Sequence, residues 1–237
     1  MKRVAIIQSN YIPWKGYFDI IHDADLFIFY DDIQFTKNDW RNRNKIKVPG
    51  GTLWLSVPVG SNLNRLINEV KIQNSNWNKK HFKTLEQYYC NAPYFKLYKD
   101  FLKHVYLGQK WENLSELNHY LIKHICSDFL NIKTGFDVSW NYELSGQRLD
   151  RLLDLLIKAG ATEYITGPSA KEYIDETKFE EKGIMLKWKD YSGYPEYNQY
   201  HPPFIHGVSI LDLLFHTGNN APYYIWGWRD NITVTNA

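Results

Sequence analysis

The densest run of residues able to do chemistry is "YDDIQFTKNDWRNRNKIKV", residues 30–48. Arg41, Arg43, Lys45 and Lys47 alternate with neutral side chains, so an extended backbone would carry all four on one side. Like charges in a row repel one another unless they face an anion. Phosphate or diphosphate suits them, because arginine grips it through two N–H groups. The same row also fits a solvated edge strand whose lysines discourage aggregation. Just upstream, Asp31 and Asp32 offer a carboxylate that can orient a hydroxyl or amine and accept its proton, or else pair with the nearby arginines. His81 is a second candidate base, set early in a helical stretch facing aromatics, where burial as a neutral imidazole is the competing outcome. Gln8, Tyr11, Trp14, Tyr17 and Gln34 supply ring faces, hydroxyls and amides of the kind that bind sugars or bases.

Several chemistries lack their signatures. There is no GxSxG, GxxxxGK or GxGxxG, and the eight histidines fall in no HxH, HxxxH or Cys-paired ligand spacing, so no metal is expected. "ATEYITGPSAKEY" puts small residues ahead of a helix start, which suits either an anion-binding turn or a plain strand-to-helix connection. Cys90 and Cys126 are too few for a disulfide framework and imply a reducing compartment. No apolar run approaches the ~20 residues of a spanning helix or a signal-peptide core, which predicts a cytoplasmic protein without a membrane span. A net charge of +2 gives no global pull toward nucleic acid. The outlier is aromatic content: nine Trp and eighteen Tyr exceed what core filling requires, and many lie in loops with Pro or Gly.

These side chains need elements to hold them. "RVAII" at 3–7 and "DLFIFY" at 25–30 read as buried strands, with two turns of helix between them, which predicts a parallel pair. Ligands then belong beyond the carboxyl ends of those strands, at residues 8–16 and 31–43. Residues 44–73 read as extended and 77–131 as a mainly helical insert, followed by a helix at 147–160, a strand in "TEYITG" and a helix at 209–218. The expected architecture is α/β: one compact Rossmann-like domain over residues 1–237, with a mostly parallel sheet and that insert.

The segments "QSNYIPWKGYFDII", "YDDIQFTKNDWRNRNKI", "KKHFKTLEQYYCNAPYF" and "YNQYHPPFIHGVSILDLLFHTG" together resemble the WbqC-like protein family along nearly the whole chain. Gln8, Tyr11, Pro13, Trp14, Gly16, Tyr17, Phe18, Asp31, Asp32, Gln34, Arg41, Asn42, Arg43, His81, Pro93, Ser209 and Asp212 fall on the family's pattern, while Ser9 stands where proline is common. The resemblance implies bacterial surface-polysaccharide (O-antigen) biosynthesis and work on a nucleotide-linked sugar. The leading expectation is transfer of an acyl or aminoacyl group to a sugar amine, from a donor such as acyl-CoA or aminoacyl-tRNA. Nucleic acid would be a partner only through a tRNA-borne donor. In that reading Asp31 or His81 takes the amine proton, Gln8, Tyr11, Trp14, Tyr17 and Gln34 hold the sugar or base, and Arg41, Arg43 and Lys45 hold the diphosphate. A nucleotidyltransferase, or a non-catalytic carbohydrate or nucleic-acid binding module, are the alternatives.

Overall fold

The computed structural model describes residues 1–73 and 76–229. The chain runs β1 (Arg3–Ile7), α1 (Lys15–Asp23), β2 (Leu26–Phe29), β3 (Arg43–Val48), β4 (Gly51–Ser56), α2 (Trp77–Tyr89), α3 (Phe95–Lys103) and α4 (Leu114–His124). It continues through β5 (Gly135–Val138), α5 (Arg148–Lys158), β6 (Glu163–Thr166), α6 (Glu176–Glu180), β7 (Met185–Trp188) and α7 (Ile210–Thr217). Five strands form one sheet in the order β5-β2-β1-β6-β7, every neighbouring pair parallel. β3 and β4 stand apart as an antiparallel hairpin.

The α/β expectation therefore holds, with two strands, β5 and β7, beyond those legible in the sequence. Of the residues expected to be extended, 43–56 form the hairpin, whereas "NEVKI" opens with a single tight turn at Ile67–Glu69.

Alternation along the strands builds two cores. Ala5, Phe27, Phe29 and Ile165 face one side and pack with Phe18 and Ile21 of α1, Leu117 and Leu121 of α4 and Leu214 of α7. Val4, Ile6, Ile28 and Tyr164 face the other and meet Leu152, Leu153, Leu155 and Leu156 of α5. Each fully buried ring or branched side chain contributes about 1.5–3 kcal/mol, which is ample to fix the register.

The topology locates the site. From β1 the chain steps outward to β2 and then β5, returns to the far side of β1 as β6, and steps outward again to β7. The direction of winding thus reverses between β1 and β6, and in open parallel sheets ligands bind beyond the carboxyl ends of the strands at such a point.

A long irregular stretch, 189–208, packs back over α1 and the hairpin. Buried Asp212 of α7 accepts from Tyr89 Oη at 2.7 Å, Tyr197 Oη at 2.5 Å and Gln199 Nε2 at 2.8 Å. Buried Asp19 of α1 accepts from Lys189 Nζ at 2.7 Å and takes both nitrogens of the Arg229 fork. Ser209 and Asp212 thus serve the closing motif as a helix cap and an anchor.

Candidate functional site

A cavity of ≈ 950 Å³ opens at the reversal point. Its floor is Ile6, Ile7 and Gln8 at the end of β1, Tyr30 after β2, and Tyr164 and Thr166 of β6. Trp14, Tyr17 and Ile20 come from the α1 side, Arg148, Arg151 and Leu152 from α5, and Gly167–Ala170, Tyr173 and Tyr191 close the remaining wall. Among the described residues no acidic side chain and no lysine lines it. Among the described residues Arg148 has no ion-pair or hydrogen-bond partner, and its backbone is left-handed at φ 50°. Such a conformation costs about 1–3 kcal/mol in a non-glycine residue and is concentrated at ligand sites. Arg151 spends Nη2 on Asp32 at 2.6 Å, while its Nη1 has no partner.

The aromatic turn explains why no glycine-rich phosphate loop is present. The Trp14 indole folds back over the first turn of α1, and a Cβ on Gly16 would collide with it. Gly16 therefore makes room for a ring, where a phosphate-loop glycine would make room for an anion. The tight path beside it, with Ile12 at φ 38°, is held by Asn44, whose Nδ2 donates to the Tyr11 and Ile12 carbonyls at 3.2 and 2.9 Å. Trp14 also borders a second cavity of ≈ 260 Å³, shared with Asn10, Pro13, Trp40, Asn44 and Gly207.

Of the residues expected to handle ligand, the structure brings Gln8, Trp14 and Tyr17 to the main cavity. Tyr17 contributes its ring alone, since its hydroxyl donates to the Gln8 carbonyl at 2.9 Å. Tyr11 is turned away and is 0% exposed. Its hydroxyl lies 2.8 Å from His81 Nδ1 and 2.6 Å from Tyr106 Oη. Burial pulls His81 down to about 4, so it sits there as a neutral ring. Gln34 lies at a separate shallow depression with Arg65 and Glu69.

The basic row sits on the hairpin, outside the main cavity. Arg41 pairs with Asp39, and Arg43 donates to the Asn38 carbonyl. Arg43 and Lys45 cover Trp54 at 4.2 and 4.9 Å from its ring centroid. Lys47 leaves the row and is buried, with Nζ on the Pro203 carbonyl at 2.7 Å. Asp39 offsets the charge of Arg41, and cation–π contact with Trp54 holds Arg43 and Lys45 in place.

Asp31, 0% exposed, is not among the residues lining the main cavity. It accepts from the Ser9 amide at 2.7 Å and lies 2.9 Å from His119 Nε2. Burial works to raise its carboxyl, but His119 and the Ser9 amide outweigh that and hold it below the ordinary range.

Arg148, Arg151 and Tyr173 escaped the sequence reading, which took residues 147–160 as an amphipathic helix only. One signal was available. Arg148 and Arg151 flank Asp150 at the start of the helix, where the positive N-terminal dipole favours the acid and disfavours the two arginines. The other flagged turn, Gly167–Ala170, does line the cavity.

Rossmann-like winding with a cavity at its switch point defines a doubly wound α/β protein. The chain belongs to the WbqC-like protein family, whose model matches residues 8–224. It is 48% identical over 227 residues to the Mycobacterium tuberculosis protein named Uncharacterized protein Rv1507c, covering 95% of this chain and 98% of that one. No solved structure matches. Among the described residues no helix is long and apolar enough to cross a membrane.

Proposed function

We propose that this protein is a transferase of surface-polysaccharide assembly that binds a nucleotide-linked sugar and passes an acyl or aminoacyl group to the sugar's amine. The observation that carries this reading is the acid-free ≈ 950 Å³ cavity with Arg148 and Arg151 at one end. Two guanidinium groups with unspent donors suit a diphosphate, which takes charge-assisted, paired hydrogen bonds. The volume is near the upper end of the ~300–1,000 Å³ span of small-ligand sites and suits two rings joined by that diphosphate. Trp14, Tyr173 and Tyr191 give flat faces for a base or sugar, and Gln8 gives an amide for its hydroxyls. The diphosphate is thereby assigned to α5 in place of Arg41, Arg43 and Lys45. The ≈ 260 Å³ cavity across Trp14 has room for a single acyl group and not for a whole carrier. Attack of an amine on an activated acyl carbon needs placement, a base and a donor for the developing oxyanion, and no covalent nucleophile on the protein.

Calorimetry with UDP-, dTDP- and GDP-sugars, acyl-CoAs, nucleoside triphosphates with Mg²⁺ and short oligonucleotides tests the reading. Sugar nucleotide at a hundred times its Kd should stabilise the fold by about 2.7 kcal/mol, and Arg148→Ala should cut that shift to about 0.3–1.4 kcal/mol at the same concentration. Preference for triphosphate with Mg²⁺ replaces the reading with nucleotidyl transfer. Preference for oligonucleotides replaces it with a binding module.

A further inference from the structure

The main cavity contains no side chain with a basic lone pair suited to neutral pH, since its polar groups are arginines, tyrosines, amides and hydroxyls. A base must come from its rim. The carboxyl ends of β1, β2 and β5 lie side by side, and contacts among the residues after them lead from the cavity toward α4. Arg151 in the cavity holds Asp32, Asp32 accepts from Ser139 Oγ, and Trp140 follows in the chain. The Trp140 indole lies parallel to the His119 imidazole, 6.1 Å between centroids and 14° between planes.

His119 itself is built with care. It also stacks on Phe29, 3.8 Å between centroids and 20° between planes. Its Nε2 lies 2.9 Å from the Asp31 carboxylate, which is buried and held in turn by the Ser9 amide. Because Asp31 stays ionised, it can only accept, so in the neutral imidazole Nε2 carries the proton and Nδ1 keeps its lone pair. Nδ1 has no partner among the described residues and is not enclosed, in a side chain 14% exposed. An imidazole clamped by two rings, its tautomer set by a buried carboxylate and its free nitrogen open, is what general-base catalysis requires. The other charges about this pair are Lys123, one turn along α4 and 5.8 Å from the Phe29 ring, Asp137 on β5, and the Arg41–Asp39 pair.

We infer that His119, oriented by Asp31, is the base of this site. This rests on the transferase reading. The amine nitrogen bonds to the acyl carbon of a thioester donor, its proton passes to His119 Nδ1, and the carbon–sulfur bond breaks. The imidazolium, stabilised by Asp31, returns that proton to the departing thiolate. Asp31 is then a positioning residue, and His81 has no part in proton transfer.

Diethylpyrocarbonate modification followed by peptide mass spectrometry tests this without a known substrate. At pH 7 His119 should react, Asp31→Asn should slow the reaction about 10-fold or more, and saturating UDP-N-acetylglucosamine should slow it at least 5-fold. An inert His119, a rate indifferent to Asp31, or full reactivity with that nucleotide bound overturns the inference. If UDP-N-acetylglucosamine does not bind at all, the transferase reading loses its support, and reactivity with its Asp31 dependence still decides the role of His119. With acetyl-CoA and a UDP-linked amino sugar, His119→Gln should lower kcat about 100-fold or more and remove the acid limb of the pH profile, with KM little changed. Glutamine keeps a donor toward Asp31, and circular dichroism checks that this variant folds. A folded His119→Gln variant with wild-type kcat overturns the inference.

Discussion

Tyr11 and Trp14 stand three positions apart in one aromatic turn, yet they belong to opposite kinds of place. At the Tyr11 hydroxyl the polar atoms answer one another: it, His81 Nδ1 and Tyr106 Oη form a buried cluster. Around Trp14 the accounts are left open, with Arg148 unpartnered, one nitrogen of Arg151 unspent and a strained backbone retained at the rim. The residue types are alike in the two regions, so type does not mark the site. What differs is the state of the donors: exposed Arg148 leaves its own to solvent, while Arg151 Nη1 is buried without a partner at a cost of about 1–3 kcal/mol that a ligand would relieve.

The sharpest way to break this comparison is acid. His81 is pulled from 6.5 to about 4 by burial, so between those values the unfolded chain takes up a proton that the folded one refuses. Stability is therefore fully present above the unfolded value and falls as the pH drops toward 4. A gap of that size corresponds to about 3 kcal/mol. Urea unfolding at pH 7 and pH 4 measures the loss, and His81→Phe should remove most of this pH dependence. If that variant loses as much stability as the wild type, the cluster is not sealed as described.

The open region should respond in ligand affinity. Arg148→Ala should weaken binding of a nucleotide diphosphate by about 1.5–3 kcal/mol, roughly 10- to 150-fold, because a charge-assisted contact is lost. The melting temperature should stay level or rise slightly, since the change relieves a cation at a helix N-terminus. Unchanged affinity would move the anion site elsewhere and undo the contrast. The same contrast predicts that Tyr11→Phe costs about 1–2 kcal/mol of stability, read by urea midpoint, because His81 Nδ1 loses its buried partner. Nucleotide affinity should not change.

The parallel core was legible because it rests on local pattern. "RVAII" and "DLFIFY" are apolar runs of strand length, and the helix before Gly160 carries its stop signal. β5 and β7 were hidden because "GFDV" and "MLKW" are short edge strands, each with a charged residue among the apolar ones. The site divided along the same line. Gln8, Trp14 and Tyr17 follow from their place after β1. Arg148 and His119 depend on which helices a fold of high sequence separation lays against the sheet, and no local period encodes that. For the basic row, alternation gives a shared face without telling what covers it, and here Trp54 comes from the paired strand.

That row supplies the smallest expected effect and a control for the whole comparison. Lys45 lies opposite Trp54 in the hairpin register, and Arg43, two residues away on the same face, shares the ring with it. An exposed cation–π contact is worth about 0.5–1 kcal/mol. Arg43→Ala should therefore lower stability by less than about 1 kcal/mol and leave sugar-nucleotide affinity where it was. Differential scanning calorimetry and titration on the one variant measure both. A tenfold loss of affinity with little change in melting would return the diphosphate to the hairpin, and the division between the closed and open halves of the aromatic turn would then have to be redrawn around β3.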